Sequence, residues 1–558
     1  MKTLKDQSID SSFMAPHFAN MGNKNHDTKS PARAAHVNMM TDCIIANMPA
    51  EGLRSTLRGL LGENASNTAG LTKLASEYLA NTRPSSIPAL FTTVDGSPQA
   101  TMDLPRIQSR YRCLMGCGFG FESVELLTDV VQQIQKLDWD EKTDEGQEFL
   151  DVLATIDGDI VQSTTAVHKL LRTESGLRPM NPEDSQKIVA LRETLYNSRA
   201  IPFTRGQDFA FERGLCCLEK LIEGAGNRDQ SWKKETVSQT NGFHSSKSAL
   251  ESFYLGSAQV PRMFMGLWQF SSPAWGIASR SKIHRHFRKH VDAGLVAYDM
   301  ADHYGDAEVT FGQFRTAQED SETIYCATKW AVFEPIQISK EVVDANISER
   351  LAAINSTTVE LLQFHWQDYS DYQYVKAARL IYEHPHVQSL GLCNFDSDHM
   401  CEILESGVQA VSNQVQFSLI DLRPTFKMAE RYKWVGRPAP NLFDEYMTPS
   451  HRKYFEMITI WGGWVLFQEL LDILASIGRK HEVSVSSVAI RWVLDHDYVG
   501  AVIVGARMGI SEHIDENLKA FSFTLDVEDK DDIEGVLKKS RAKDVFEAMG
   551  DCGAEYRQ

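Results

Sequence analysis

Val296-Ala-Tyr-Asp-Met-Ala-Asp-His-Tyr-Gly305 is a short β-branched and aromatic run that breaks into polar residues. Two similar runs follow, Thr323-Ile-Tyr-Cys-Ala-Thr-Lys329 and Val359-Glu-Leu-Leu-Gln-Phe-His365. Residues 340–354, between the second and the third, have helical spacing. Short apolar runs that alternate with helices imply parallel strands, because a parallel pair needs a long crossover between its members. The three runs carry Asp299, Tyr304, Lys329 and His365 at or near their ends.

Working outward, the same texture predicts strands at 263–268, 296–301, 323–329, 359–365, 387–393, 411–417 and 500–505. Helical spacing recurs at 281–293, 340–354 and 372–383. Right-handed crossovers of this kind build a (β/α) barrel. The region exceeds the ~250 residues typical of an eight-fold barrel. An open doubly wound sheet is the alternative, but it would need a Gly-rich turn after its first strand. Gly266-Leu-Trp-Gln-Phe-Ser271 is not such a turn.

The rest of the chain reads differently. Residues 1–50 are polar and without period, which predicts disorder. Residues 51–223 read as an all-α helical domain: Val124, Leu127, Val131, Ile134 and Leu137 fall three or four apart, as do Phe211, Leu215, Leu218 and Leu221. Such stripes bury against other helices. Residues 224–247, rich in Gly, Ser and charge, predict a linker. The barrel is then expected over 248–545, with a tail at 546–558.

The chain has 558 residues, 42% hydrophobic and 24% charged, with a formal net charge of -18. That charge repels phosphate and disfavours nucleic acid and anionic membranes as partners. No signal peptide is visible at the start, and no apolar stretch is long enough to span a bilayer, so a cytoplasmic location with reduced thiols is expected. Cys113 and Cys117 share a helical face, but no second Cys or His pair accompanies them, so no metal is expected. Cys216 and Cys217 read as core packing. The helical domain shows no phosphate loop and no paired ligands; a protein partner or self-association is its expected role.

A Tyr, a Lys, an Asp and a His that converge can protonate a carbonyl oxygen. A free Tyr titrates near 10 and is a poor acid at neutral pH. A neighbouring ammonium stabilises tyrosinate and lowers that value. A carboxylate holds the ammonium in place. A His can orient the carbonyl or share the proton. None of these groups supplies two electrons, so a hydride cofactor is required.

The segments containing Asp299, Tyr304, Lys329 and His365 resemble the aldo-keto reductase superfamily. Ser389-Leu-Gly-Leu-Cys-Asn-Phe395 resembles its fifth strand, Ser412-Asn-Gln-Val-Gln-Phe-Ser-Leu419 its sixth, and 504–518 its eighth strand and adenosine-phosphate loop. The resemblance implies catalytic roles for Asp299, Tyr304, Lys329 and His365. It implies that Asn394 and Gln414 hold the nicotinamide carboxamide, and that Gly505, Arg507, Glu516 and Asn517 grip the adenosine end. Arg507 suits a 2′-phosphate, which favours NADP(H). The substrate would be a small carbonyl compound or alcohol. Trp268, Trp330 and Trp366 lie near strand ends and are expected to line an aromatic pocket.

Three departures stand out. Cys393 takes the place of a serine beside the asparagine, and His513 that of an arginine near the 2′-phosphate. The third is larger: the barrel lacks its seventh strand. After a helix expected at 424–432, Trp434-Val-Gly-Arg-Pro-Ala-Pro440 resembles loop sequence from beyond that strand. Strand number, tilt and stagger are linked, so a closed barrel cannot simply omit one. Two readings of the gap follow: an altered form with an incomplete cofactor site, or a complete enzyme closed by another segment. The sequence leans to the first. In function, NADP(H)-dependent reduction of an aldehyde or ketone with Tyr304 as general acid leads, and a catalytically impaired binding module is the alternative. Met457-Ile-Thr-Ile-Trp461 could be a substitute strand, although the resemblance makes it a turn and helix start.

Overall fold

A computed structural model of the chain describes residues 45 and 48–553, apart from 64–65, 85, 95, 140–142, 174–175, 206–208, 226–249, 272–274, 277, 319–320, 334, 421–448, 497 and 543–552. The linker, the helix expected at 424–432 and the segment 434–440 lie largely or wholly outside the described residues. The chain divides into the units Met1–Leu57 and Arg58–Gln558, and the elements below belong to the second.

The N-terminal part of this unit is a helical layer: α1 (Ser66–Asn81), α2 (Asp103–Gly116), α3 (Gly120–Ile134), α4 (Asp144–Leu171), α5 (Pro182–Arg205) and α6 (Glu212–Ala225). The predicted stripes are its core. Val124, Leu127 and Val131 on α3, and Leu215, Leu218 and Leu221 on α6, are buried in one cluster. Burying each such side chain contributes about 1.5–3 kcal/mol. Two short hairpins interrupt the helices, at Phe91–Val94 with Ser97–Ala100 and at Arg172–Thr173 with Gly176–Leu177. The first follows from Phe-Thr-Thr-Val, a β-favouring run, and from Gly96 in the turn at φ +86°.

The C-terminal part is a curled parallel sheet of seven strands: β1 (Met263–Gly266), β2 (Ala297–Asp299), β3 (Tyr325–Val332), β4 (Leu361–Trp366), β5 (Leu390–Cys393), β6 (Ala410–Gln414) and β7 (Val502–Gly505). The spatial order is β6-β5-β4-β3-β2-β1-β7, so β7 occupies the eighth strand's place beside β1. Among the described residues no strand joins β6 to β7. Lys329 was expected to end its strand, but β3 runs on to Val332 because Ala331 and Val332 pair with His365 and Trp366 of β4.

Three of the crossover helices start on side-chain caps that accept an otherwise orphaned N–H. Ser279 caps α7 (Arg280–Asp292) and Ser339 caps α9 (Lys340–Ala353). Asp396 caps α11 (Ser397–Glu405). Between them lie α8 (Ala307–Thr316) and α10 (Gln373–Tyr382). Residues 457–461 end α12 (Pro449–Trp461), so they form no substitute strand. Met457, Ile458 and Trp461 are buried against α13 (Gly463–His481), which satisfies their apolar character as a helix. After α14 (Val485–Leu494) and β7 come α15 (Ile514–Lys519) and α16 (Val527–Leu537). No described helix is long and apolar enough to cross a membrane.

Strand alternation sorts the barrel side chains. Phe264, Ala297, Tyr325, Ala327 and Leu361 form an interior cluster, closed by the hairpin Ser252–Leu255 and Ala258–Pro261. Asp299, Lys329, Gln363 and His365 are in phase with this set. Met265, Tyr298, Trp330, Phe364 and Trp366 are out of phase and pack under the helices.

Candidate active site

Asp299 ends β2 and Lys329 lies on β3, each about 3% exposed. A buried ion of either sign is costly unless it is paired. The Lys329 ammonium donates to the Asp299 carboxylate and, at 2.9 Å, to the Met300 carbonyl oxygen. The other Asp299 oxygen accepts from Gln363 Nε2 at 2.7 Å, and Gln414 Nε2 reaches Oδ1 at 3.3 Å. Four strands thus contribute to one polar knot inside the barrel.

Tyr304 enters it from the turn after β2. The Lys329 ammonium lies 4.9 Å from the centroid of its ring. Burial pushes the Tyr304 hydroxyl up to about 12; Lys329 pulls it down by charge and a hydrogen bond, while Asp299 and Cys393 push it up. The expected lowering by lysine is present, but burial outweighs it. The turn needs a glycine after Tyr304: Gly305 has φ +60°, and a Cβ there would lie 2.5 Å from the Phe270 carbonyl oxygen.

His365 is buried near the end of β4. Its ring meets Phe333 edge-on at 5.8 Å, and the Phe333 ring also meets His303 at 5.1 Å. His303 stacks edge-on against Tyr304. His303 and Phe333 therefore line the same mouth.

At the end of β5, Asn394 adopts a left-handed φ of +58°, and its N–H donates to the Gln414 carbonyl at 2.8 Å. The Cys393 thiol points at Gln414 Oε1 across 3.4 Å, and burial pushes this thiol up to about 12. Gln416 Oε1 is buried without a hydrogen-bond partner among the described residues. Asn394 and Gln414 thus stand beside the Asp299 knot. These amides, with that unsatisfied oxygen, suit a carboxamide-bearing cofactor.

Gly505 ends β7, Arg507 follows it, and Glu516 and Asn517 lie on α15. The Arg507 guanidinium donates to the Trp275 carbonyl, at 2.7 Å from Nε. Arg507 lines a small open cleft with Gln269, Trp275 and Gly276, and with Gln162 and Arg213 of the helical layer. Glu516 Oε2 lies 3.2 Å from His513 Nδ1, and Asn517 is buried. The cation and the exposed carboxylate suit the phosphate and ribose of a dinucleotide.

The tryptophan expectation fails for Trp330 and Trp366. Trp330 and Trp366 are each 2% exposed and pack with Phe364 on the helix side of the sheet. Each is the neighbour of an interior residue, so the pleat turns it the opposite way. Trp268 stands exposed in the turn after β1, with its ring 5.1 Å from that of Trp275. Gln363 was overlooked as an Asp299 partner. The sign was present in its position two residues before His365, on the same face of β4.

Residues 262–538 match the family model "Aldo/keto reductase family". A glyoxal reductase of Bacillus subtilis (strain 168) is 25% identical over 206 residues, 36% of this chain and 65% of its own length. The aldo-keto reductase YhdN of the same strain is 21% identical over 317 residues, covering 50% of this chain and 91% of its own. Among solved structures, a glycerol dehydrogenase from Gluconobacter oxydans aligns with a TM-score of 0.42 at 18% identity, over 52% of this chain and 96% of its own. The chain spans just under two thirds of the glyoxal reductase. The family match begins beyond the helical layer.

Proposed function

Since residues 262–538 belong to the aldo/keto reductase family, we propose that this chain reduces an aldehyde or ketone with NADP(H), using Tyr304 as the general acid. The single observation that carries this reading is the buried Asp299–Lys329 pair beneath the Tyr304 ring.

Tyr304 stays neutral at physiological pH and holds its proton for the substrate oxygen. As the carbonyl carbon gains electrons, charge develops on that oxygen, and Tyr304 gives up its O–H proton there. Lys329 stabilises the tyrosinate left behind, and Asp299 keeps the ammonium charged and fixed. Water then returns a proton to the tyrosinate. His365, beside Phe333, would orient the carbonyl. Asn394 and Gln414 would hold the carboxamide end of the cofactor, and Arg507 its phosphate end. When bound, NADPH supplies the hydride. The free thiols Cys113, Cys216 and Cys393 accord with a reducing, cytoplasmic setting.

A second reading rests on the open edge between β6 and β7 among the described residues. In that reading the barrel has lost turnover and, with the helical layer, serves as a binding module for a protein partner or a second copy. Fluorescence titration with NADPH separates the two. Submicromolar binding supports the reductase; no detectable binding supports the module.

A further inference from the structure

We propose that the helical layer sets the position of the general acid: Arg213 and Arg172 each ion-pair with an aspartate two residues from Tyr304, and Arg213 is a positioning residue for the tyrosine. This rests on the role given to Tyr304 above. The family match starts at residue 262, so both arginines lie outside it.

The turn 302–306 carries Tyr304 at its centre. On one side, Asp306 has about 1% of its side chain exposed and receives paired hydrogen bonds from Arg213, from Nε at 2.8 Å and from Nη2 at 2.7 Å. A fork of this kind fixes direction as well as distance. Thr310 Oγ1 adds a third bond at 2.9 Å. On the other side, Asp302 Oδ2 lies 3.7 Å from Arg172 and 3.5 Å from Arg350 of α9. Between the two, Gln162 of α4 lies 3.4 Å from the Phe270 carbonyl that also faces Gly305.

Arg213 is itself held from behind. It is buried, its guanidinium carbon lies 5.5 Å from the centroid of the Phe270 ring, and its Nη1 reaches the Ala278 carbonyl at 3.4 Å. The next residue, Gly214, donates its N–H to Asp157 of α4 at 2.8 Å. A Cβ on Gly214 would lie 2.6 Å from Ile160, so α6 rests against α4 at a distance only glycine permits. The rigid pair α4–α6 therefore sets where Arg213, then Asp306, then Tyr304 can be. A shift of about 1 Å in a reacting group costs up to a hundred-fold in rate.

The test uses the full chain labelled with [13Cζ]-tyrosine, the Tyr304 resonance being the one lost in Tyr304→Phe. The Arg213→Met/Asp306→Leu double variant removes both charges and leaves neither ion unpaired. Its Tyr304 resonance is expected to be displaced while far-UV circular dichroism stays native. With a carbonyl substrate and saturating NADPH, kcat is expected to fall about a hundred-fold, with the KM for the carbonyl within two-fold. Arg213→Lys keeps the charge but not the fork, and is expected to displace the resonance part-way. It carries the test if the double variant does not fold. A Tyr304 resonance unchanged in a folded variant overturns the proposal. The resonance is read without turnover, so a failure of the reductase reading, seen as unchanged turnover in Tyr304→Phe, is a separate result.

Discussion

Lys329 lies beneath Tyr304, its ammonium 4.9 Å from the ring centroid and bonded on its far side to Asp299 and the Met300 carbonyl. The lysine thereby links a buried carboxylate to a partly buried phenol. Removing it leaves Asp299 with amide donors only. Lys329→Met is therefore expected to cost about 3–5 kcal/mol of stability, the penalty for an orphaned buried charge. Urea denaturation checks this, and a loss under 1 kcal/mol contradicts it.

Tyr304 also sets a pH dependence. Its folded value, about 12, is above the ordinary tyrosine value of 10.0. Between those two values the unfolded chain loses the proton and the folded chain keeps it. Stability present below pH ~10 thus declines as pH rises towards ~12. Other buried tyrosines, Tyr298 among them, are shifted the same way, so the comparison must be with Tyr304→Phe. The variant is expected to show a shallower decline over this window in chemical denaturation. Identical slopes would remove burial as the cause.

Gln363 is a support that a local motif search passes over. Its amide gives Asp299 Oδ2 a bond at 2.7 Å from within the barrel. Gln363→Leu keeps the volume but withdraws the donor, with an expected loss of about 1–3 kcal/mol. A folded variant of unchanged midpoint in urea would show that this bond adds nothing.

Cys393→Ser is expected to strengthen cofactor binding a few-fold. A hydroxyl makes a shorter, stronger hydrogen bond than the thiol now 3.4 Å from Gln414. The net gain of such a bond is about 0.5–1.5 kcal/mol. NADPH fluorescence titration of the two proteins decides it, and weaker binding by the serine form counts against the placement of Gln414 at the nicotinamide end.

The strands of the barrel were legible because each is a short apolar run flanked by helical spacing. Asp299 and Lys329 could be found because strand ends share one mouth, and Gln414 because its segment resembles the family's sixth strand. Trp330 and Trp366 were misjudged because nearness to a strand end was given more weight than phase along the pleat. That no strand joins β6 to β7 among the described residues agrees with the sequence missing between two motifs. The ion pair from Arg213 to Asp306 was not, because it joins residues 93 positions apart and neither belongs to a periodic pattern. The net direction of the Tyr304 shift also needed the fold, since only packing tells how far burial outweighs the neighbouring ammonium.

The central claim is that Tyr304 gives its proton to the substrate oxygen. The direct test is steady-state carbonyl reduction by Tyr304→Phe, alongside NADPH titration of the same protein. The account predicts turnover lost by a factor of about 10²–10⁴, the usual contribution of a general acid, with cofactor affinity nearly intact. Turnover equal to that of the unmodified chain would contradict it.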